Sequence, residues 1–123
     1  MGADLISPGL RALIVEDETL IAEELRERLS RLGFAIIAAV DSAEEGIAIA
    51  TRERPDLVLM DIRLKGAKDG MQAAEEIRRQ IDVPIVYLTA NGNRAVLEQA
   101  KATEPLAFIL KPYDERELLT STI

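Results

Sequence analysis

The chain has no cysteine and no histidine. The first absence removes disulfides, thiol catalysis and zinc–thiolate sites. The second removes a Ser-His-Asp triad and any histidine-ligated metal within the chain. Any phosphohistidine chemistry must therefore borrow its histidine from another chain or domain. Tryptophan is also absent, and two phenylalanines and two tyrosines are the only aromatics. The core must then be mostly Leu, Ile, Val and Ala. No apolar run approaches the roughly 20 residues that span a bilayer. The start, Met1-Gly2-Ala3-Asp4-Leu5-Ile6, lacks the basic residues and apolar stretch of a signal peptide, and Ile6 breaks the myristoylation pattern. Basic residues are outnumbered 15 to 22, for a net charge of −7. That balance argues against gripping nucleic acid, which needs a basic face, and against an anionic membrane surface. The expectation is no direct nucleic acid, no membrane and a cytoplasmic location.

What is present is alternation. A chain of 123 residues with 48% hydrophobic content fits one globular domain. Residues 1–10, with Ser7, Pro8 and Gly9, read as a lead-in. Strands are predicted at 11–16, 35–40, 57–60, 84–89 and 107–110, several of them near-continuously apolar, as strands covered on both faces are. Ile21, Leu25, Leu29 and Leu32 form one stripe of a first helix, and Gly33 is its stop. Ser42 with Glu45 predicts a capping box for a second helix, which Pro55 closes. Met71, Ala74, Ile77 and Ile81 form the stripe of a third. A fourth, near 94–102, has the weaker apolar side Val96, Leu97 and Ala100. A fifth begins around Glu115 with Asp114 as N-cap. It reaches Ile123 in mid-pattern, shorter than the roughly 12 residues at which isolated helices become marginal, so a truncated last helix is expected. Five strands alternating with five helices imply parallel strands, right-handed crossovers and helices on both faces.

Three strand ends carry groups that suit one another. Leu57-Val58-Leu59-Met60 delivers a lone acid, Asp61. Leu13-Ile14-Val15 runs into Glu16-Asp17-Glu18, and Phe108-Ile109-Leu110 runs into Lys111-Pro112. Open α/β folds keep their chemistry at such ends. If the first and third strands are neighbours, Glu16, Asp17 and Asp61 lie within several ångströms. Unit charges about 4 Å apart repel by about 4 kcal/mol at an effective dielectric near 20. A divalent cation relieves this, and oxygen donors without His or Cys select magnesium or manganese over zinc. Asp61 is either a strand terminator or a nucleophile that forms an aspartyl phosphate. Lys111 is either an ordinary surface lysine or a point charge for phosphoryl oxygens, and Pro112 favours the latter by fixing the backbone. Thr89 can donate its hydroxyl to a phosphoryl oxygen, with Ala90 leaving space, although strand propensity alone also accounts for it. Glu16-Asp17 in isolation fits a solvated turn, a reading that weakens once Asp61 and Lys111 share the edge.

The stretches LIVEDE at 13–18, LVLMDIRL at 57–64, DG at 69–70, PIVYLTA at 84–90 and FILKPY at 108–113 resemble the receiver domain of the two-component response-regulator family. Each is weak alone, but five in order at family spacing are specific, and the resemblance covers nearly the whole chain, from about Arg11 onward. The resemblance implies a flavodoxin-like, doubly wound five-stranded parallel sheet in the order 2-1-3-4-5 with five helices. It implies Asp61 as phosphoacceptor, Asp17 as direct Mg2+ ligand, Glu16 as its partner acid through water, and the Arg63 backbone carbonyl as a further ligand. Thr89 and Lys111 match the phosphoryl-binding pair, Phe108 matches an aromatic switch residue acting with Thr89, and Lys111-Pro112 matches a cis bond. Some positions depart from the pattern. Glu16 stands where Asp is commoner, and the loop Leu64-Lys65-Gly66-Ala67-Lys68 lacks a usual proline and is one residue longer. Thr103-Glu104-Pro105-Leu106 lacks the paired acids of many DNA-binding regulators, which leans away from a transcription factor.

The implied function is a phosphorylation-dependent signalling switch. Asp61 accepts a phosphoryl group from a histidine kinase or a histidine phosphotransfer protein, with Mg2+ or Mn2+. The face made of the fourth helix, fifth strand and fifth helix is remodelled toward an output domain or a homodimer. Such a domain is no enzyme toward external substrates and catalyses only its own phosphorylation and dephosphorylation. Two alternatives stand beside it. A non-phosphorylated interaction module would keep the fold alone. An aspartate-nucleophile phosphohydrolase would want an acid two residues after Asp61, where Arg63 stands and cannot serve as general acid.

Overall fold

Aliphatic runs make the strands, and the amphipathic stretches between them make the helices. The computed structural model describes residues 9–64, 66–89 and 107–110, the last as backbone, together with Glu98, Lys101 and Pro105. The elements are β1 (Arg11–Val15), α1 (Thr19–Arg31), β2 (Ala35–Val40), α2 (Ala43–Glu53), β3 (Leu57–Asp61), α3 (Gly70–Gln80), β4 (Ile85–Thr89) and β5 (Ala107–Leu110). All strand pairs are parallel, in the order β2-β1-β3-β4-β5, as expected. Of the expected fourth helix, Glu98 and Lys101 are described, and both are helical. The expected fifth helix, the Lys111-Pro112 bond and most of the lead-in lie outside the described residues.

Strand alternation sorts the core onto two faces. Leu13, Val15, Val58, Met60, Ile85 and Tyr87 pack with Ala43, Ala50, Ala73, Ala74 and Ile77, which come from α2 and α3. Ala12, Ile14, Leu57, Leu59, Val86 and Leu88 pack with Leu25 and Leu29 of α1. Small residues on α2 and α3 let those helices lie close to the sheet. β2 departs from strict alternation. Its register jumps from Ala12↔Ile36 to Leu13↔Ala38, leaving Ile37 as an extra residue. That bulge puts Ile37 and Ala38 against the same cluster and disrupts an otherwise flat apolar edge.

Element ends follow local chemistry. α1 stops at Leu32, and Gly33 takes φ 107°, which glycine adopts without penalty. The third strand extends one residue beyond the expected 57–60 and includes Asp61. The first ends one residue early, at Val15, and the fourth begins at Ile85 rather than Pro84. Proline has no N–H to give the ladder, although the Pro84 carbonyl accepts from Val58 at 3.0 Å. The capping box expected at α2 is half formed. The Ser42 hydroxyl accepts from the Glu45 N–H at 3.2 Å, but the Glu45 carboxylate accepts from that same hydroxyl (3.4 Å). A reciprocal box does form at α3, where Asp69 accepts from the Gln72 N–H and Gln72 Oε1 accepts from the Asp69 N–H, both at 2.9 Å.

α2 ends on Arg54 in the left-handed region, with φ 48° and ψ 67°. Side chains other than glycine resist that conformation by about 1–2 kcal/mol. Arg54→Gly is therefore expected to raise the unfolding free energy by about 0.5–1 kcal/mol, once glycine's greater unfolded-state entropy is subtracted. Urea melts of the two proteins measure the difference.

Candidate functional site

The C-terminal ends of β1 and β3 are adjacent, because the two strands pair through Val15↔Met60. The next residues outward are Glu16, Asp17 and Asp61. Their carboxylate oxygens converge, with one ligand atom from each lying within 4.8 Å of the others. Glu16, Asp61 and Thr89 are almost wholly buried, at 1%, 5% and 6% exposure, and are the buried polar or charged residues among those described. Asp17 is half-buried.

Glu16 and Asp61 are held from the backbone. The Glu16 N–H donates to the Val40 carbonyl at 2.9 Å, which ties the turn after β1 to the end of β2. Glu16 Oε2 accepts from the Glu18 N–H at 3.1 Å. Glu18 is the N-cap of α1 and makes no side-chain cap of its own, so Glu16 helps satisfy the donors at that helix start. The longer glutamate reaches the helix while its carboxylate stays in the cluster. Asp61 Oδ1 accepts from the Arg63 N–H at 3.0 Å. The positive end of α1's dipole, two residues beyond Asp17, also favours negative charge here. A hollow of about 300 Å³ beside the cluster is lined in part by Glu16, Glu23, Asp41 and Glu45, and it extends the negative field that concentrates cations.

Three carboxylates with no nitrogen or sulphur donor form an oxygen-only set, which suits a small hard divalent cation. Arg63 follows two residues after Asp61, so its backbone is at the same strand end, while its side chain is exposed. Thr89 is the last residue of β4, one beyond Leu88, the register partner of Asp61. It pairs with Leu110 of β5, the residue directly before Lys111. Lys111 itself lies outside the described residues. Phe108 is placed by its backbone alone, opposite Tyr87 in the β4–β5 ladder. The structure thus brings together Glu16, Asp17 and Asp61 from two strands, with Thr89 on the next.

Gly70 acquires no role from the sequence beyond the DG pair. Its N–H donates to the Ile62 carbonyl at 2.9 Å, and its Cα faces the backbone that follows Asp61. The signal available in the sequence was the D-x-x-Q of a capping box, Asp69 to Gln72, which puts a helix start directly after the Asp61 loop.

Comparison with known proteins fits this geometry. The response regulator receiver domain family matches residues 12–122. The transcriptional regulatory protein PdtaR of Mycobacterium tuberculosis is 37% identical over 109 residues, covering 89% of this chain and 53% of that protein. The probable transcriptional regulator ycf27 of Guillardia theta is 37% identical over 110 residues, covering 88% and 42%. The chain therefore spans about half the length of the curated relatives it matches. The signal receiver domain of a modulated diguanylate cyclase from Desulfovibrio desulfuricans G20 superposes with a TM-score of 0.85 at 34% identity, covering 90% and 88%. The receiver domain of sensor histidine kinase PA1611 from Pseudomonas aeruginosa PAO1, which has a magnesium ion coordinated in its active site cleft, gives 0.82 at 32%, covering 91% and 93%. With the family matched along nearly the whole chain, and acids converging where the sheet carries its site, this chain belongs to the response-regulator receiver-domain family.

Proposed function

We propose that the chain is a phosphorylation switch in which Asp61 takes a phosphoryl group from the phosphohistidine of a histidine kinase or histidine phosphotransfer protein. The observation that carries this reading is the convergence of Glu16, Asp17 and Asp61, with Asp61 almost wholly buried at the end of β3. Glu16, Asp17, Asp61 and the Arg63 carbonyl would hold Mg2+, or Mn2+, in the oxygen-only cluster. When bound, the ion screens the charge between an anionic nucleophile and an anionic phosphoryl group.

The chain's own residues do the rest. Asp61 attacks phosphorus through a carboxylate oxygen, so a P–O bond forms as the P–N bond to the donor histidine breaks. Its Arg63 N–H bond holds the carboxylate in one orientation. Thr89 donates its hydroxyl to a phosphoryl oxygen, and Lys111 supplies a counter-charge. As Thr89 moves toward the phosphoryl group, Phe108 turns into the space it leaves. The face around β5 then changes shape and alters contact with an output domain or a second copy. This is a two-state equilibrium biased by a local charge change. The chain acts on no external substrate and catalyses only its own phosphorylation and dephosphorylation. We place it in the cytoplasm, which fits the finding that no helix among the described residues is long and apolar enough to cross a membrane.

Acetyl phosphate with Mg2+, followed by intact-mass measurement, tests the proposal. The chain is expected to gain one phosphoryl group with Mg2+ and none with excess chelator. A chain that never gains it would instead be an interaction module that keeps only the fold.

A further inference from the structure

Glycine is unfavourable inside a helix relative to alanine, and it is usually kept where a positive φ demands it. Gly70, the first residue of α3, is not among the positive-φ glycines, which among the described residues are Gly9, Gly33 and Gly66. Its backbone suits any residue, so the reason for glycine here is space. A Cβ at this position would land on the Asp61 carbonyl oxygen and lie 2.8 Å from the Asp61 carbonyl carbon and 2.9 Å from Ile62 Cα. These are backbone atoms of a central strand end and cannot rotate aside. Gly46 makes a contrast. Its Cβ would meet Val15 Cγ2 at 2.8 Å, the tip of a side chain.

The start of α3 therefore rests directly on the peptide that follows the acceptor. Two bonds lock the arrangement. The Gly70 N–H donates to the Ile62 carbonyl at 2.9 Å and closes the base of the loop between β3 and α3. The Arg63 N–H, one residue further, donates to Asp61 Oδ1 at 3.0 Å. The Asp69–Gln72 capping box then fixes the first turn of the helix. Pushing the Asp61–Ile62 peptide away would tilt both the Asp61 carboxylate and the N–H that anchors it.

We propose that Gly70 is a positioning residue for Asp61: by admitting α3 onto the Asp61–Ile62 peptide, it sets the angle of the acceptor carboxylate toward Glu16 and Asp17. This rests on the reading of Asp61 as phosphoacceptor and on the acid cluster as a cation site.

The test compares Gly70→Ala with Ile77→Ala. The latter removes a buried side chain two turns further along α3, within the core cluster and away from the helix start. Well below both melting midpoints, Gly70→Ala is expected to lower the rate of phosphoryl acceptance from acetyl phosphate at saturating Mg2+ by at least tenfold. It should weaken Mg2+ binding several-fold and shift the Arg63 amide resonance. Ile77→Ala should lower the melting midpoint while leaving the rate within twofold and that resonance in place. Equal rates for Gly70→Ala and wild type, or equal losses for both variants, would overturn the proposal. Should Gly70→Ala not fold, Asp69→Ala loosens the same turn without adding volume. A rate at least threefold lower with a shifted Arg63 amide would sustain the proposal, and neither change would end it. If the wild type accepts no phosphoryl group, the function proposed above fails by itself, and Mg2+ affinity and the Arg63 amide still decide the role of Gly70.

Discussion

Asp61→Asn is expected to lower phosphoryl acceptance by at least about a thousandfold, because an amide lacks the anionic oxygen that attacks phosphorus. The substitution is close to isosteric. Its Oδ1 can still accept from the Arg63 N–H, a bond of 3.0 Å in the wild type, so the loop after β3 keeps its anchor. Asp61 is almost wholly buried and belongs to a cluster of three acids, so removing its charge should not weaken the fold. Loss of acceptance would therefore not be loss of structure, and circular dichroism melts of the variant check this directly. The competing acceptors are Glu16 and Asp17, which share the cluster. Acceptance that survives at the wild-type rate in Asp61→Asn would move the nucleophile to one of them.

A second large effect concerns charge rather than nucleophilicity. The ligand oxygens of Glu16, Asp17 and Asp61 lie within 4.8 Å of one another. A pair of unit charges at about that distance repels by about 3.5 kcal/mol at an effective dielectric near 20, and solvent at half-buried Asp17 reduces this. Asp17→Asn removes two such repulsions without touching the acceptor. In the absence of divalent cation, the variant should be more stable than wild type by about 1 kcal/mol. With Mg2+ at about a hundred times the wild-type Kd, wild type should gain about 2.7 kcal/mol, while the variant gains under about 0.5 kcal/mol. The order of stability thus reverses on adding the ion. Denaturant melts with and without Mg2+ show it, and a variant that is less stable in both conditions would mean the acids are not in repulsion.

Much of the fold was legible because its strands are buried on both faces. Runs such as Leu57-Val58-Leu59-Met60 and Ile85-Val86-Tyr87-Leu88 have no polar residue to blur them, so their ends are visible as the first Asp or Thr. That same feature made the candidate site legible, since Glu16, Asp17, Asp61 and Thr89 all occupy strand ends. What stayed hidden depends on contacts between elements or on backbone choice. The β2 bulge falls within Ala35–Val40, where every residue is apolar and no alternation marks the extra Ile37. The left-handed end of α2 falls on Arg54, with no glycine to announce it. The spacing of Ser42 and Glu45 fits a capping box, yet the glutamate turns to the hydroxyl. Gly70 is the clearest case. The backbone of Asp61 and Ile62 leaves no room there for a Cβ, and periodicity carries no trace of that.

The composition constrains the account from the other side. With no histidine in the chain, a phosphohistidine signal must arrive from outside it. The chain covers about half of its curated relatives, and those relatives are named as transcriptional regulators, whereas similar receiver domains are found in a diguanylate cyclase and a sensor kinase. Receiver domains similar to this one thus occur in proteins of unlike output.

The most direct test is to locate the phosphoryl group. After treatment with acetyl phosphate and Mg2+, the chain is digested and its peptides are mapped with and without hydroxylamine, which cleaves acyl phosphates. One hydroxylamine-labile phosphoryl group, on the peptide that contains Asp61, is the expected result. A hydroxylamine-stable phosphate on serine or threonine, or a labile one on the peptide of Glu16 and Asp17, would contradict it.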